Sequence, residues 1–317
     1  MRLVFAGTPP VALPSLEALV QAGHDLVAVL TRPPAARGRS ARLEPSAVAL
    51  WAQANGVETL CPTRPDDPGL ALRLRQLAPD CCPVVAYGGL IPAPLLALPA
   101  LGWINLHFSL LPAYRGAAPV QRALLAGESQ TGLTCFSLVP ELDAGPIWAS
   151  QTWPIGARQR AGQLLDQLAL AGADLLVESL RSAAAGQTAR PQPTAGVSWA
   201  PKLNPAETMV DWTASDQSLD RLIRAAWPNP AAWTELAGQR LKLLAAEPTA
   251  QTLPPGQLEV GRRQVLVGTG GAALRLLEVA PAGRPAMAAA DWGRGLRSTG
   301  PIRLGPSAPA SESADDR

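Results

Sequence analysis

Histidine is scarce in this 317-residue sequence: His24 and His107 are the two imidazoles open to any chemistry that needs one. His107 ends the tract Trp103-Ile104-Asn105-Leu106-His107, which reads as a short buried strand. Alternation along a strand puts the Asn105 carboxamide and the His107 imidazole on one face, about 7 Å apart. An N–H donor then stands beside a group that changes charge near neutral pH. The plainer alternative is a hydrogen-bonded core histidine. Against it, the tract runs on into Pro112-Ala113-Tyr114-Arg115-Gly116, a turn unlike a buried strand, and a second polar motif follows. That motif, Leu142-Asp143-Ala144-Gly145, sets a carboxylate in a turn between apolar stretches, where an aspartate is ordinarily a solvated turn former.

Other candidate groups carry less. His24 follows the helix-ending Gly23 and reads as a surface or turn residue. Cys61, Cys81, Cys82 and Cys135 form no CxxC pair and have no histidine at ligand spacing, so no metal is expected and each cysteine reads as a small buried hydrophobe. Gly7-Thr8-Pro9 stands where a first strand turns into a first helix, but it lacks the GxGxxG fingerprint, which disfavours a dinucleotide. It is either a rigid turn with proline pre-set at the helix start or a turn lining a substrate cleft.

The elements that must position these groups follow from the apolar pattern. Leu3–Ala6, a helix over Leu13–Ala22 and a strand over Leu26–Leu30 make a βαβ unit, with further buried strands at Pro83–Tyr87, Trp103–His107 and Thr131–Leu138. Leu164, Leu165, Leu168, Leu175, Leu176 and Leu180 recur on one face of a helix. Alternating strands and helices predict an α/β domain with a mostly parallel, doubly wound sheet over residues 1–187, its sites at the carboxyl ends of the strands. Pro191, Pro193, Pro201 and Pro205 mark residues 188–206 as a stiff linker. From 207 to 304 the period falls to two (Leu241/Leu243, Val265/Val267, Leu274/Leu276), which predicts a small β-barrel or sandwich. Residues 305–317 hold no bulky apolar side chain and read as a disordered tail.

Composition bounds the partners loosely. Apolar residues at 47% and charged residues at 16% fit a globular protein, and no apolar run reaches the roughly 20 residues of a membrane span. The N-terminal apolar stretch is too short for a signal peptide, so a cytoplasmic, reduced protein without membrane contact is expected. A net charge of +2 neither demands nor forbids nucleic acid. The charges are unevenly placed, however. The loop 31–46 carries Arg32, Arg37, Arg39 and Arg42 against Glu44, and residues 238–304 hold nine basic side chains against four acidic.

Asn105-Leu106-His107, Ser109-Leu110-Leu111-Pro112, Tyr114-Arg115-Gly116 and Leu142-Asp143-Ala144-Gly145 together resemble the signature of the folate-dependent formyltransferases. Phe5-Ala6-Gly7-Thr8-Pro9, Val84–Gly88, Gly116–Gln121, Lys202-Leu203, Asp211-Trp212 and Gly283–Met287 extend the resemblance over residues 1 to 304, closest to members whose acceptor is initiator tRNA. The chain departs from the family pattern at Ala35-Ala36, Phe108, Pro140-Glu141 and Pro146, none of which removes Asn105, His107 or Asp143.

The resemblance implies a Rossmann-like formyltransferase fold followed by an OB-like barrel that binds tRNA. It implies transfer of the formyl group from 10-formyltetrahydrofolate, leaving tetrahydrofolate, to the α-amino group of methionine on initiator tRNA, by a monomer. In acyl transfer to nitrogen an oxyanion develops and an ammonium proton must leave. Asn105 would donate to the oxyanion. His107 would stabilise the same charge as an imidazolium and protonate the departing folate nitrogen. Asp143 would orient His107, lift its pKa above about 6.5 and take the amine proton through a water. Ser109, Leu110, Leu111 and Pro112 would form part of the folate site, with Val85, Ala86, Tyr87 and Gly88 lining the pterin pocket. Arg37, Arg39 and Arg42 would meet the acceptor end of the tRNA. The alternatives within the superfamily are a nucleotide-sugar amine as acceptor or a 10-formyltetrahydrofolate hydrolase module. A purine-pathway enzyme acting on glycinamide ribonucleotide generally ends after the first domain.

Overall fold

The computed structural model describes residues 1–36, 42–296 and 300–306. Contacts divide the chain into two compact units. The first comprises Met1–Val120, Ser129–Gly156 and Gln163–Pro201; the second gathers Gln121–Glu128, Ala157–Gly162 and the chain from Lys202 onward.

The first unit is built on a seven-stranded sheet. Its strands are β1 (Arg2–Gly7), β2 (Asp25–Leu30), β3 (Glu58–Leu60), β4 (Cys82–Val85), β5 (Trp103–His107), β6 (Gln130–Ser137) and β7 (Ile147–Pro154). They lie in the order β3-β2-β1-β4-β5-β6-β7. The neighbours from β3 to β5 run parallel, and β6 and β7 add antiparallel. The doubly wound expectation is met, with the order reversing at β1. Val4, Phe5, Ala28, Val29, Val84 and Val85 are buried, as parallel strands covered on both faces require. Helices α1 (Leu13–Gln21), α2 (Ala47–Ala54) and α3 (Pro68–Leu77) accompany it, as does α5 (Ala161–Ala184) from Gln163 onward, whereas α4 (Pro119–Ala126) belongs from Gln121 onward to the second unit. The starts of α2 and α3 are set locally: Ser46 accepts from Ala49 N–H at 3.0 Å, and Asp67 accepts from Gly69 N–H at 2.8 Å with Pro68 opening the helix.

Strand β4 stops two residues short of the expected Tyr87, because Ala86 turns left-handed (φ +48°). The carboxyl ends of β1, β4 and β5 therefore present Gly7-Thr8, Ala86–Gly88 and His107-Phe108 along one edge of the sheet. Thr8 Oγ1 donates to the Tyr87 carbonyl at 2.7 Å, tying the first two of these ends together. Of the cysteines, Cys81, Cys82 and Cys135 are buried, and burial pushes the Cys81 and Cys135 thiols up to about 12. Cys61 departs from the expectation: it follows the edge strand β3 and is exposed.

The second unit holds β8 (Ala232–Leu236), β9 (Gln239–Pro248), β10 (Gln257–Val260), β11 (Val265–Val267), β12 (Leu274–Pro281), β13 (Met287–Ala288) and β14 (Ile302–Arg303). The order β8-β9-β12-β11-β10-β14 is antiparallel throughout, with β13 on β12. Gly305 N–H donates to the Glu235 carbonyl at 2.9 Å, so the two edges meet and the sheet curls into a nearly closed barrel rather than a sandwich. Leu241, Leu243, Val265, Val267, Leu274 and Leu276 fill it, and α6 (Asp216–Ala226) adds Leu219 and Ile223 to the same core. No described helix is long and apolar enough to cross a membrane.

Trp103 opens the strand that ends in His107. It is fully buried and its indole N–H donates to the Leu95 carbonyl at 2.8 Å. Trp103→Ala leaves a cavity and an orphaned carbonyl, with an expected loss of about 3–5 kcal/mol in a denaturant titration. A loss below about 1 kcal/mol would contradict this packing account.

Candidate active site

The imidazole of His107 is held on both sides. Nε2 lies 2.8 Å from the Tyr114 carbonyl oxygen, and since a carbonyl only accepts, Nε2 carries the proton and donates. Nδ1 faces Asp143 Oδ2 at 3.8 Å, and the ring meets Phe136 edge-on at 6.3 Å. The side chains of His107 and Asp143 are 7% and 12% exposed, so Asp143 is not a solvated turn residue. Burial lowers the His107 pKa below its ordinary 6.5; the nearby Asp143 charge and the Tyr114 carbonyl oppose the shift without cancelling it. The expectation of a raised pKa is thereby corrected. Removing an imidazolium from water costs more than a carboxylate at this distance returns, the more so because that carboxylate is already accepting elsewhere.

Asp143 Oδ2 accepts the Gly116 N–H at 2.8 Å. The Asp143 backbone sits in the left-handed region (φ +48°), a conformation that neighbouring structure must enforce for a residue with a Cβ. Two glycines make the geometry possible. Gly116 (φ +123°) lies so close to the segment beyond residue 198 that a Cβ would come within 2.8 Å of the Ala200 carbonyl, and a Cβ on Gly145 would collide with the Ser137 carbonyl. Asn105, two residues before His107 on the same strand face, is half-buried, and no described residue bonds its carboxamide. A free amide, a neutral buried imidazole and a carboxylate thus gather at the end of β5. This set can steady a developing negative charge and pass a proton.

Residues 1–180 match the family model described as formyl transferase, and residues 202–297 match formyl transferase, C-terminal domain. The chain is 55% identical over 300 residues to the methionyl-tRNA formyltransferase of Thermobifida fusca, covering 94% of this chain and 97% of that protein. It belongs to the methionyl-tRNA formyltransferase family. The fold is shared more widely. HypX from Aquifex aeolicus in complex with tetrahydrofolic acid superposes with a TM-score of 0.67 at 19% identity, over 92% of this chain and 46% of that one. The N-formyltransferase from Helicobacter canadensis in complex with folinic acid and dTDP-3-aminofucose gives 0.64 at 17% identity, over 86% and 98%.

Within this methionyl-tRNA formyltransferase family member, the remaining site candidates are placed as follows. Ser109 is fully buried and its hydroxyl donates to the Ala113 carbonyl at 2.6 Å, closing its own loop. Thr134, opposite His107 on β6, donates to the Ser109 carbonyl at 2.7 Å and accepts from Leu111 N–H at 3.1 Å. Leu111 is buried, while Leu110 and Pro112 are partly exposed. After β4, Val85 and Tyr87 point inward while Ala86 and Gly88, both left-handed, lie exposed. Arg37 and Arg39 lie outside the described residues. Arg42 is exposed beside a two-residue ribbon, Ala35–Ala36 with Leu43–Glu44. The base of that loop is pinned by buried Thr31 and Ser46, whose hydroxyls are 2.7 Å apart.

Sequence reasoning missed how the irregular stretch 190–200 is tied down, with isolated bridges at Arg190 and Trp199. Expected to be part of a stiff linker over 188–206, it stays on the first unit as far as Pro201. Arg190 exchanges two backbone hydrogen bonds with Ile147 (2.6 and 2.8 Å), Arg115 N–H donates to the Ser198 carbonyl at 2.9 Å, and Ala200 N–H donates to the Arg115 carbonyl at 2.7 Å. Proline spacing signalled an extended chain but not which loops it would pair with.

With two histidines in the chain, the His107 ring can be followed by NMR and assigned with His24→Gln. It is expected to titrate below 6.5, and lower still in Asp143→Asn, since the charge that opposes burial is then gone. A midpoint above 6.5, or a rise on removing the carboxylate, would contradict the geometry described.

Proposed function

We propose that the chain transfers the formyl group of 10-formyltetrahydrofolate to the α-amino group of methionine carried on initiator tRNA. The observation that supports this acceptor is the extent of the likeness: 55% identity across 94% of the chain, through both the α/β and barrel regions, to a protein named for it. The nucleotide-sugar alternative has only a shared fold at 17% identity in its favour. Folate as donor agrees with the fold shared with a protein crystallised with tetrahydrofolic acid. The open backbone at Ala86 and Gly88, beside the end of β5, suits a flat ring that must approach closely.

In this reading Asn105 donates its side-chain N–H to the formyl oxygen as negative charge builds. His107 begins neutral, because burial disfavours the imidazolium in the resting protein. The proton released when the amine attacks is accepted on the Nδ1 side, where the new positive charge would lie 3.8 Å from Asp143 Oδ2. His107 then returns a proton to the departing nitrogen. Tyr114, through its carbonyl on Nε2, keeps the ring oriented throughout. The imidazolium is therefore formed during the reaction rather than before it. The basic barrel and Arg42 serve contact with tRNA phosphates, which give affinity rather than sequence reading.

Asn105→Ala and His107→Ala are each expected to lower kcat by about a hundredfold, close to 3 kcal/mol, with little change in folate affinity. A near-normal kcat would remove that residue from the mechanism. Supplied with labelled 10-formyltetrahydrofolate together with charged initiator tRNA and nucleotide amino sugars, the protein is expected to label methionine on tRNA, with a rate that falls steeply as salt rises. Label on the sugar amine would overturn the proposal.

A further inference from the structure

We propose that Gln192 is a positioning residue for this reaction, its carboxamide clamping the Asp143–Gly145 turn to Arg115 so that the Asp143 carboxylate stays against His107. The proposal rests on the roles just assigned to His107 and Asp143. Both Nε2 hydrogens of Gln192 are used, one on the Asp143 carbonyl and one on the Gly145 carbonyl, each at 2.8 Å. Its Oε1 accepts from the Arg115 guanidinium at 2.6 Å. Arg115 is followed by Gly116, whose N–H holds Asp143 Oδ2 at 2.8 Å, so the contacts close a ring: Gln192, Asp143, Gly116, Arg115 and back to Gln192.

The chemistry calls for a carboxamide. Two carbonyl oxygens and a guanidinium converge on one side chain, which must supply two donors and an acceptor at once. Glutamate lacks the donors and would oppose both carbonyls, and lysine lacks the acceptor. The clamp is itself anchored. Two residues before it, Arg190 is bonded twice to Ile147, and Pro191 and Pro193 restrict the backbone on either side. The clamp explains how a non-glycine residue at φ +48° is kept in one conformation: its carbonyl is gripped by Gln192 while its carboxylate is gripped by Gly116.

The test uses the full chain with Gln192→Met, which keeps the side chain's length but none of its hydrogen bonds, and Gln192→Ala, which leaves room for water to bridge. Gln192→Met is expected to lower kcat roughly tenfold to a hundredfold, with folate KM nearly unchanged. It should also move the His107 NMR titration in the same downward direction as Asp143→Asn, and add nothing to that shift when the two are combined. Gln192→Ala should lie between Gln192→Met and the unmodified protein on both readouts. If Asp143→Asn changes neither rate nor titration, the underlying reading of the site fails. If Asp143→Asn changes both while Gln192→Met leaves both at the unmodified values, or if the two shifts simply add, the clamp is overturned and the reading of Asp143 stands.

Discussion

The site depends on keeping a neutral imidazole out of water within reach of a carboxylate without letting the two collapse into a permanent ion pair. His107 meets that requirement because its Nε2 proton is committed to the Tyr114 carbonyl, which leaves Nδ1 facing Asp143 across 3.8 Å. Burial pulls the ring toward neutrality and the carboxylate pulls it toward charge, and burial prevails at rest. The two influences act on one ring in opposite directions, so its protonation depends on how completely it is desolvated and on the Asp143 charge beside it. The strands β5 and β6, the loops at 109–116 and 143–145 and the stretch 190–200 hold this arrangement in place.

Rigid elements supply half of that support and loops the rest. Strand β5, buried between β4 and β6, fixes Asn105 and His107 on one face, and Thr134 on β6 braces the loop that follows. The carboxylate comes from a turn between β6 and β7 that no regular element holds. It is held by one hydrogen bond from Gly116, by two from Gln192, and by the close approach that Gly116 and Gly145 allow. Loop-borne groups of this kind are where small displacements have large kinetic effects.

Much of this was legible in the sequence. Period-two and continuous apolar runs marked β1, β2, β5 and β6 within a residue or two, and the Asn105–His107 spacing put both side chains on one face. The expected pKa direction was reversed, because spacing says nothing of how completely a ring is desolvated. Strands β7 and β8 were not read: β7 opens on Ile147-Trp148-Ala149 but goes on through Ser150, Gln151 and Thr152 at an exposed edge, and β8 is a five-residue strand just after Pro228 and Pro230, so neither shows a sustained apolar pattern. The role of residues 190–200 was hidden for a related reason. Its bonds to the loops at 112–118 and 143–147 are long-range and largely backbone-mediated, and local pattern registers neither.

The central claim is that His107 and Asp143 act as one unit in moving the proton during formyl transfer, and a double-mutant cycle on the single-turnover rate of transfer to charged initiator tRNA tests it most directly. If the claim holds, His107→Ala combined with Asp143→Asn is about as slow as His107→Ala alone, because the carboxylate has nothing left to act through. If the two losses multiply instead, the residues work independently and the account is wrong.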